Sequence, residues 1–287
     1  MSDTATVKIF LVQGDPASLR TAEISNWTGK AVAGPRSELD EIVRRDEAQK
    51  PGVYFLIGVN PDTGKETVYI GEAEVVKDRI KKHVEKDFWR SAVFFVSKDE
   101  NLTKAHIKYL EGKLIEKAKK ADRYELDNSN ASGSHLPESD AADMEVFLAK
   151  IEQLMAVLGH DFLQPIAPAK PGGRKAAVLI CSMKGVRATG RPTEKGFVVI
   201  KASEAVLTER PSTKTYPYAA NLRKQLRDQA VLTEQNGKLV FNKDYEFSSP
   251  SAAASVIQGG QANGRTSWKN SAGETLKELE EKGLSNK

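Results

Sequence analysis

The sequence predicts an α+β protein in two parts, a small domain of strands flanked by helices and a second, mixed α/β domain. Three observations carry that expectation. The 287 residues exceed the roughly 150 of one average domain. Runs of β-branched and aromatic residues are interspersed with segments of helical period, which predicts mostly antiparallel pairing. Finally, the stretch Pro165-Ile166-Ala167-Pro168-Ala169-Lys170-Pro171-Gly172-Gly173 blocks helix and sheet through its prolines and adds freedom through its glycines, as a linker does.

In chain order, Val7 to Val12 reads as a strand ended by Gln13-Gly14-Asp15-Pro16, and Leu39, Ile42 and Val43 have helical spacing within residues 37–47. Gly52-Val53-Tyr54-Phe55-Leu56-Ile57 and Thr67-Val68-Tyr69-Ile70-Gly71 flank Asn60-Pro61-Asp62-Thr63-Gly64, whose turn chemistry makes the pair a hairpin. A helix with Val76, Ile80 and Val84 on one stripe follows, then a buried strand, Ala92 to Val96. Thr103 can cap the next helix, which buries Ile107, Leu110, Leu114 and Ala118. A further helix spans Ser139 to Leu158, with Gly159 as its stop. Beyond the linker, Ala177–Ile180, Phe197–Ile200 and Lys238–Phe241 read as strands and Ala219–Asp228 as a helix. Ser249-Pro250 opens a last short helix that Gly259-Gly260 ends.

Composition excludes several classes. With 39% hydrophobic and 29% charged residues, the chain is neither fibrous nor disordered in character. No apolar run approaches the ~18 residues of a membrane span, and the amino terminus lacks a signal-peptide profile, so no membrane partner is expected. The single cysteine, Cys181, forms no internal disulfide and excludes a multi-cysteine zinc site; a reducing cytoplasm is the expected location. The net charge of +4 is a difference of opposites. Residues 1–166 carry 23 Lys and Arg against 28 Asp and Glu, a balance of −5; residues 167–287 carry 20 against 11, a balance of +9. A basic second half points to a polyanionic partner.

Five residues of the first half form a chemical set. Tyr54 and Tyr69 lie on the hairpin strands, where cross-strand or diagonal placement brings both phenols to one face. Arg79 and His83 are one helical turn apart, and Glu111 adjoins the buried stripe of the following helix. Singly each has an ordinary reading: core aromatics, a solvated basic face, a surface histidine, a glutamate paired with Lys108. Together, Gly52-Val53-Tyr54, Tyr69-Ile70-Gly71, Arg79, His83 and Glu111 resemble the GIY-YIG nucleases, with valine for the first isoleucine. The likeness covers roughly residues 50–130. It implies a small antiparallel three-stranded sheet flanked by helices. It also implies an asparagine after the glutamate, Asn128 or else Asn130, serving as a structural clamp. Further, it implies DNA as substrate and a divalent cation, magnesium or alternatively manganese, held by Glu111. Arg79 would contact the scissile phosphate, Tyr54 with His83 would orient or deprotonate the attacking water, and Tyr69 would hydrogen-bond phosphate or water. The lysines of the Glu111 helix, Lys104 to Lys120, and Arg123 are either a phosphate track or a solvated face. Trp89 either stacks on a base or is core.

Residues 174–287 resemble a domain of unknown function found behind GIY-YIG modules. Gly196-Phe197-Val198-Val199, Ser249-Pro250-Ser251-Ala252-Ala253-Ala254 and Asn263-Gly264-Arg265-Thr266-Ser267-Trp268-Lys269 carry that likeness. The last two blocks are also similar to a restriction- and modification-associated module proposed to read modified DNA. Equally, the alanines and Trp268 fit simple packing. Arg187, Arg191, Lys195, Arg223, Lys224 and Arg227 would supply phosphate contacts. The expected organisation is thus an accessory segment (1–50), a nuclease-like domain (51–164), a linker (165–173) and a basic DNA-targeting domain (174–287). The expected function is metal-dependent DNA endonuclease; the alternative is a non-catalytic nucleic-acid-binding or regulatory protein of the same fold.

Overall fold

The computed structural model describes residues 4–128, 133–165, 178–193, 195–215 and 217–285. The chain divides into two units, Met1–Pro165 and Ile166–Lys287; of the expected linker, residues 166–173 lie outside the described residues. Among the described residues the fold is mixed α and β, with three sheets and eight α-helices, in keeping with an α+β class.

The first unit runs β1 (Val7–Leu11), β2 (Arg20–Ile24), β3 (Gly29–Pro35), α1 (Leu39–Arg44), β4 (Gly52–Val59) and β5 (Glu66–Ala73). It continues through α2 (Val76–Lys82), β6 (Trp89–Ser97), α3 (Lys104–Ala121), β7 (Glu125–Leu126) and α4 (Glu138–Val157). The sheet has seven strands in the order β1-β2-β3-β6-β4-β5-β7, antiparallel except for the short β5–β7 pair. Three strands were expected; β6, β4 and β5 lie in the middle of the sheet, and β1 to β3 extend it in plane through the β3–β6 pairing. Residues 7–35 therefore share the sheet of the hairpin as three strands, while α1 packs on its face. The helix expected at 37–47 is only α1, flanked by 3-10 turns at Arg36–Glu38 and Asp46–Gln49.

The sheet is covered on both faces. Val53, Phe55, Ile57, Val68, Ile70 and Phe95 pack with Ile107, Leu110 and Leu114 of α3 and Leu148, Ile151 and Leu154 of α4. Tyr54, Leu56, Phe94 and Val96 pack on the other side with Ile42 of α1 and Val76 and Ile80 of α2. Double coverage explains why β4 reads as an unbroken apolar run instead of an alternating one. Thr103 caps α3 by accepting from the His106 amide, and the His106 ring returns to the Thr103 N–H. Helix α2 stops at Lys82, one turn short of the expected stripe, so Val84 is exposed. The chain turns there because Trp89, buried at the start of β6, donates its indole N–H to the His83 carbonyl at 2.9 Å. Trp89 is thus core and stacks on no base.

Part of the basic face of α3 pairs with neighbouring elements. Lys113 and Lys117 pair with Glu145 and Glu152 of α4, and Arg123 with Asp161. Lys104 pairs with Glu74.

The second unit comprises β8 (Leu179–Met183), β9 (Val186–Thr193), β10 (Gly196–Val199), β11 (Glu204–Val206), α5 (Tyr218–Asp228), β12 (Leu232–Gln235), β13 (Lys238–Phe241) and β14 (Tyr245–Phe247). Helices α6 (Pro250–Gln258), α7 (Gly264–Ser267) and α8 (Leu276–Ser285) complete it. Its sheets are β14-β10-β9-β8 and β11-β13-β12. Residues 252–258 of α6 are all buried, which its small alanines permit. No described helix is long and apolar enough to cross a membrane.

Candidate active site

The β4–β5 register sets the site. Tyr54 faces Gly71 and Leu56 faces Tyr69, so the two tyrosines are diagonal neighbours on one face, their rings stacked at 5.9 Å. Gly71 is required by that geometry. A Cβ there would lie 2.4 Å from the Tyr54 hydroxyl oxygen and 2.5 Å from the ring carbon bearing it. The Tyr54 ring thus lies across the glycine of the neighbouring strand, with no surface exposed to solvent.

Helix α2 brings the next two residues. His83 caps its carboxyl end, and its Nε2 is 2.8 Å from the Tyr54 hydroxyl. The His83 ring also lies 4.6 Å from that of Tyr69. Burial, then Arg79 and Lys86, hold His83 down to about 4, so its ring is neutral near pH 7. Burial likewise pushes the Tyr54 hydroxyl far above its ordinary value, reinforced by Tyr69 and opposed by Arg79. Tyr54 is therefore a neutral phenol. The Arg79 guanidinium is raised by Tyr54 first and by Tyr69 more weakly, which places it beside both phenols.

Tyr69, Arg79 and Glu111 share one cleft of about 430 Å³. Tyr54 does not line it. Tyr54 is wholly buried beside Tyr69, with its hydroxyl on His83. Glu111 is 9% exposed on α3. Glu72, Glu74, Asp78, Lys82 and Lys104 line the same cleft. Apart from Lys104, already named for the Glu111 helix, sequence reasoning missed these because they fall at the end of β5 and on a charged helix face, where such residues are ordinarily solvated. The one available signal was Lys82, three residues after Arg79 and on its side of α2.

Among the described residues, no three His, Cys, Asp or Glu side chains converge into a metal-binding group. A transition-metal site with several protein ligands does not fit. A hard cation that keeps most of its waters does, because the cleft offers carboxylate oxygens from separate elements and is open to solvent. Glu111 would hold it.

Asn128 follows β7, which pairs with β5 only at Thr67 and Val68. Two residues further, the edge of β5 is closed by a side chain. Asn128 Oδ1 accepts from the Ile70 N–H at 3.0 Å and its Nδ2 donates to the Ile70 carbonyl at 2.6 Å. The carboxamide replaces a strand residue and pins the middle of Tyr69-Ile70-Gly71. Asn130 lies outside the described residues. Lys86 completes the support, pairing with Asp127 and lying 5.2 Å from the Tyr69 ring.

In the second unit the two motif blocks dock onto each other. Ser249 caps α6 by accepting from the Ala252 amide, and Ser251 accepts from the Gly264 amide at 3.0 Å. A Cβ on Gly264 would fall 2.1 Å from the Pro250 carbonyl carbon. Trp268 donates its indole N–H to the Pro250 oxygen and lies 4.4 Å from Phe197.

Residues 179–280 match a domain of unknown function (DUF4357). No curated protein and no solved structure matches the chain. Within the DUF4357 segment, the three sequence blocks build a core. Trp268 is wholly buried there. Arg223, expected on a DNA-contacting surface, is 2% exposed and donates to the carbonyls of Val256, Val206 and Leu207. Those carbonyls lie at or near the ends of β11 and α6, where the guanidinium supplies a donor. Arg191 is also buried, leaving Arg187, Lys195, Lys224 and Arg227 exposed from that group.

Proposed function

We propose that the first unit is a GIY-YIG-type site that hydrolyses DNA phosphodiesters with a divalent cation, magnesium or manganese, and that the basic second unit binds DNA. The observation that carries this reading is the shared cleft of Tyr69, Arg79 and Glu111, backed by the Tyr54–His83 hydrogen bond.

Phosphodiester hydrolysis needs an oriented water and donors for the charge that grows on phosphorus. Arg79 carries a planar fork of donors into the cleft, suited to the phosphate oxygens. Tyr69, on the same wall, hydrogen-bonds the phosphate or the attacking water. Tyr54 and neutral His83 hold that ring in place, with the Tyr54 hydroxyl hydrogen-bonded to His83 Nε2. The cation at Glu111 would supply Lewis acidity and a more acidic water when bound. The β6-β4-β5 strands with α2 and α3 support the GIY-YIG assignment by setting these groups on rigid elements. The +9 balance of residues 167–287 and the exposed cations of α5 support DNA as partner. A cytoplasmic location rests on the lone, buried Cys181.

The test uses the full chain with plain, branched, damaged and methylated DNA, with and without magnesium. Cleavage that requires magnesium is expected, and Glu111→Gln should lower it at least about 10²-fold while DNA binding persists. Metal-independent cleavage, or full activity in that variant, would overturn the assignment. DNA binding without cleavage of any substrate would instead favour the non-catalytic reading.

A further inference from the structure

We infer that the second unit holds a pocket for one unpaired nucleobase, with Tyr218 as its stacking surface. The inference rests on DNA as the partner but not on hydrolysis. A pocket of about 690 Å³ is lined by Tyr218 at the start of α5, Ser251 and Ser255 of α6, and Gln261 and Asn263 ahead of α7. None of the described lining side chains is charged, so a bound group meets hydroxyls and carboxamides there and no ion-pairing side chain.

Its polar groups suit a heteroaromatic edge. The Ser251 and Ser255 oxygens accept backbone N–H groups from Gly264 and Ala262 at 3.0 and 3.1 Å. Each hydroxyl thus keeps a proton to donate. Asn263 Oδ1 is occupied by the Arg265 amide, which leaves its Nδ2 as a donor. The Gln261 side chain supplies both a donor and an acceptor. Donors and acceptors side by side are what a base presents on its pairing edge, and only an unpaired base has that edge free.

Tyr218 is 57% exposed, an unusual place for so large an aromatic and a suitable one for a stacking platform. A sugar ring would also stack there. The charge decides between them, since the same half of the chain carries +9 and Arg210 bonds the Gln261 carbonyl at the rim. The pocket is prebuilt, because Gly264 lies against Pro250 with no room for a side chain.

The experiment places 2-aminopurine as a single bulged base in a short duplex and adds full-length protein in EDTA, so that no cleavage intervenes. Quenching of the base on binding is expected. It should persist in Tyr218→Phe and vanish in Tyr218→Ala, with about tenfold weaker binding of the bulged duplex and unchanged binding of the fully paired one. Because Tyr218 is exposed, the variant should fold; Gln261→Ala, also at an exposed position, should weaken the same preference. Binding without quenching, or equal quenching in Tyr218→Ala, overturns the pocket and leaves the nuclease reading untouched. Failure to bind any DNA overturns both the pocket and the DNA-binding role. Quenching without magnesium-dependent cleavage of any DNA supports the pocket while the endonuclease fails.

Discussion

Gly71→Ala separates backbone preference from tertiary geometry. On backbone grounds the change should stabilise the chain by about 0.4–1 kcal/mol, since alanine restricts the unfolded state more than glycine does. The structure reverses the sign. The new Cβ would stand 2.4 Å from the Tyr54 hydroxyl oxygen, whereas ordinary contact begins near 3.4 Å, so one of them must move by about 1 Å. Tyr54 is fully buried against α2, and its hydroxyl is held by His83 at 2.8 Å; a shift of that size ends the hydrogen bond. Overpacking costs about 1–3 kcal/mol, and the lost bond about 1 kcal/mol more. Set against the backbone gain, the net expectation is about 1–3.5 kcal/mol of destabilisation in urea unfolding, with cleavage reduced. A double-mutant cycle is decisive. In a Tyr54→Ala background the clash is gone, and Gly71→Ala should be close to neutral, a coupling of at least about 1 kcal/mol. Strictly additive effects would show that the Tyr54 ring does not cross Gly71, and the account of the site would fall with it.

Three further outcomes follow from other parts of the molecule. His83 and His160 are both held down to about 4, each chiefly by burial, against an ordinary value near 6.5. The unfolded chain takes up protons that the folded chain refuses, so stability is full above pH 6.5 and falls as pH drops toward 4, by about 1–3 kcal/mol per histidine. Against the opposing effect of burial, Arg45 and Lys30 hold the half-buried carboxylate Glu47 at about 2, so it gives its full stabilisation above about pH 4.5 and loses it only below that. A urea midpoint flat from pH 6.5 to 5 would therefore contradict the burial of both rings. Asn128→Ala should cost about 1–2 kcal/mol and speed hydrogen exchange at Ile70, whose N–H it deprotects; unchanged exchange would remove the clamp. Arg223→Ala should cost about 2–3 kcal/mol by removing the buried donor shared by the Val206 and Val256 carbonyls. A small loss of stability with weaker DNA binding would instead return Arg223 to the surface.

What the sequence revealed was local. The hairpin was legible from its turn residues, α3 from Thr103 and its stripe, α6 from Ser249-Pro250 and Gly259, because caps and turns depend on neighbours in sequence. The candidate residues Tyr54, Tyr69, Arg79, His83 and Glu111 were legible as a set through a resemblance, and the structure brings Tyr69, Arg79 and Glu111 to one cleft with Tyr54 and His83 beside Tyr69. Strands β2 and β3 escaped because Arg20–Ile24 and Gly29–Pro35 are rich in alanine, glycine and charge. They are strands only because neighbours on both sides supply hydrogen bonds and cover.

Tertiary structure decided whatever depends on distance through space. Arg223 and Lys224 are adjacent in a basic run, yet one satisfies buried carbonyls and the other meets solvent. Composition cannot tell them apart, because the carbonyls that claim Arg223 come from residues 206, 207 and 256. Likewise the spacing of the tyrosines placed both on one face, but only the β4–β5 register put Tyr54 beside Tyr69 and laid its ring over Gly71. Local chemistry follows the chain, whereas burial and partnership arise from segments that meet after folding.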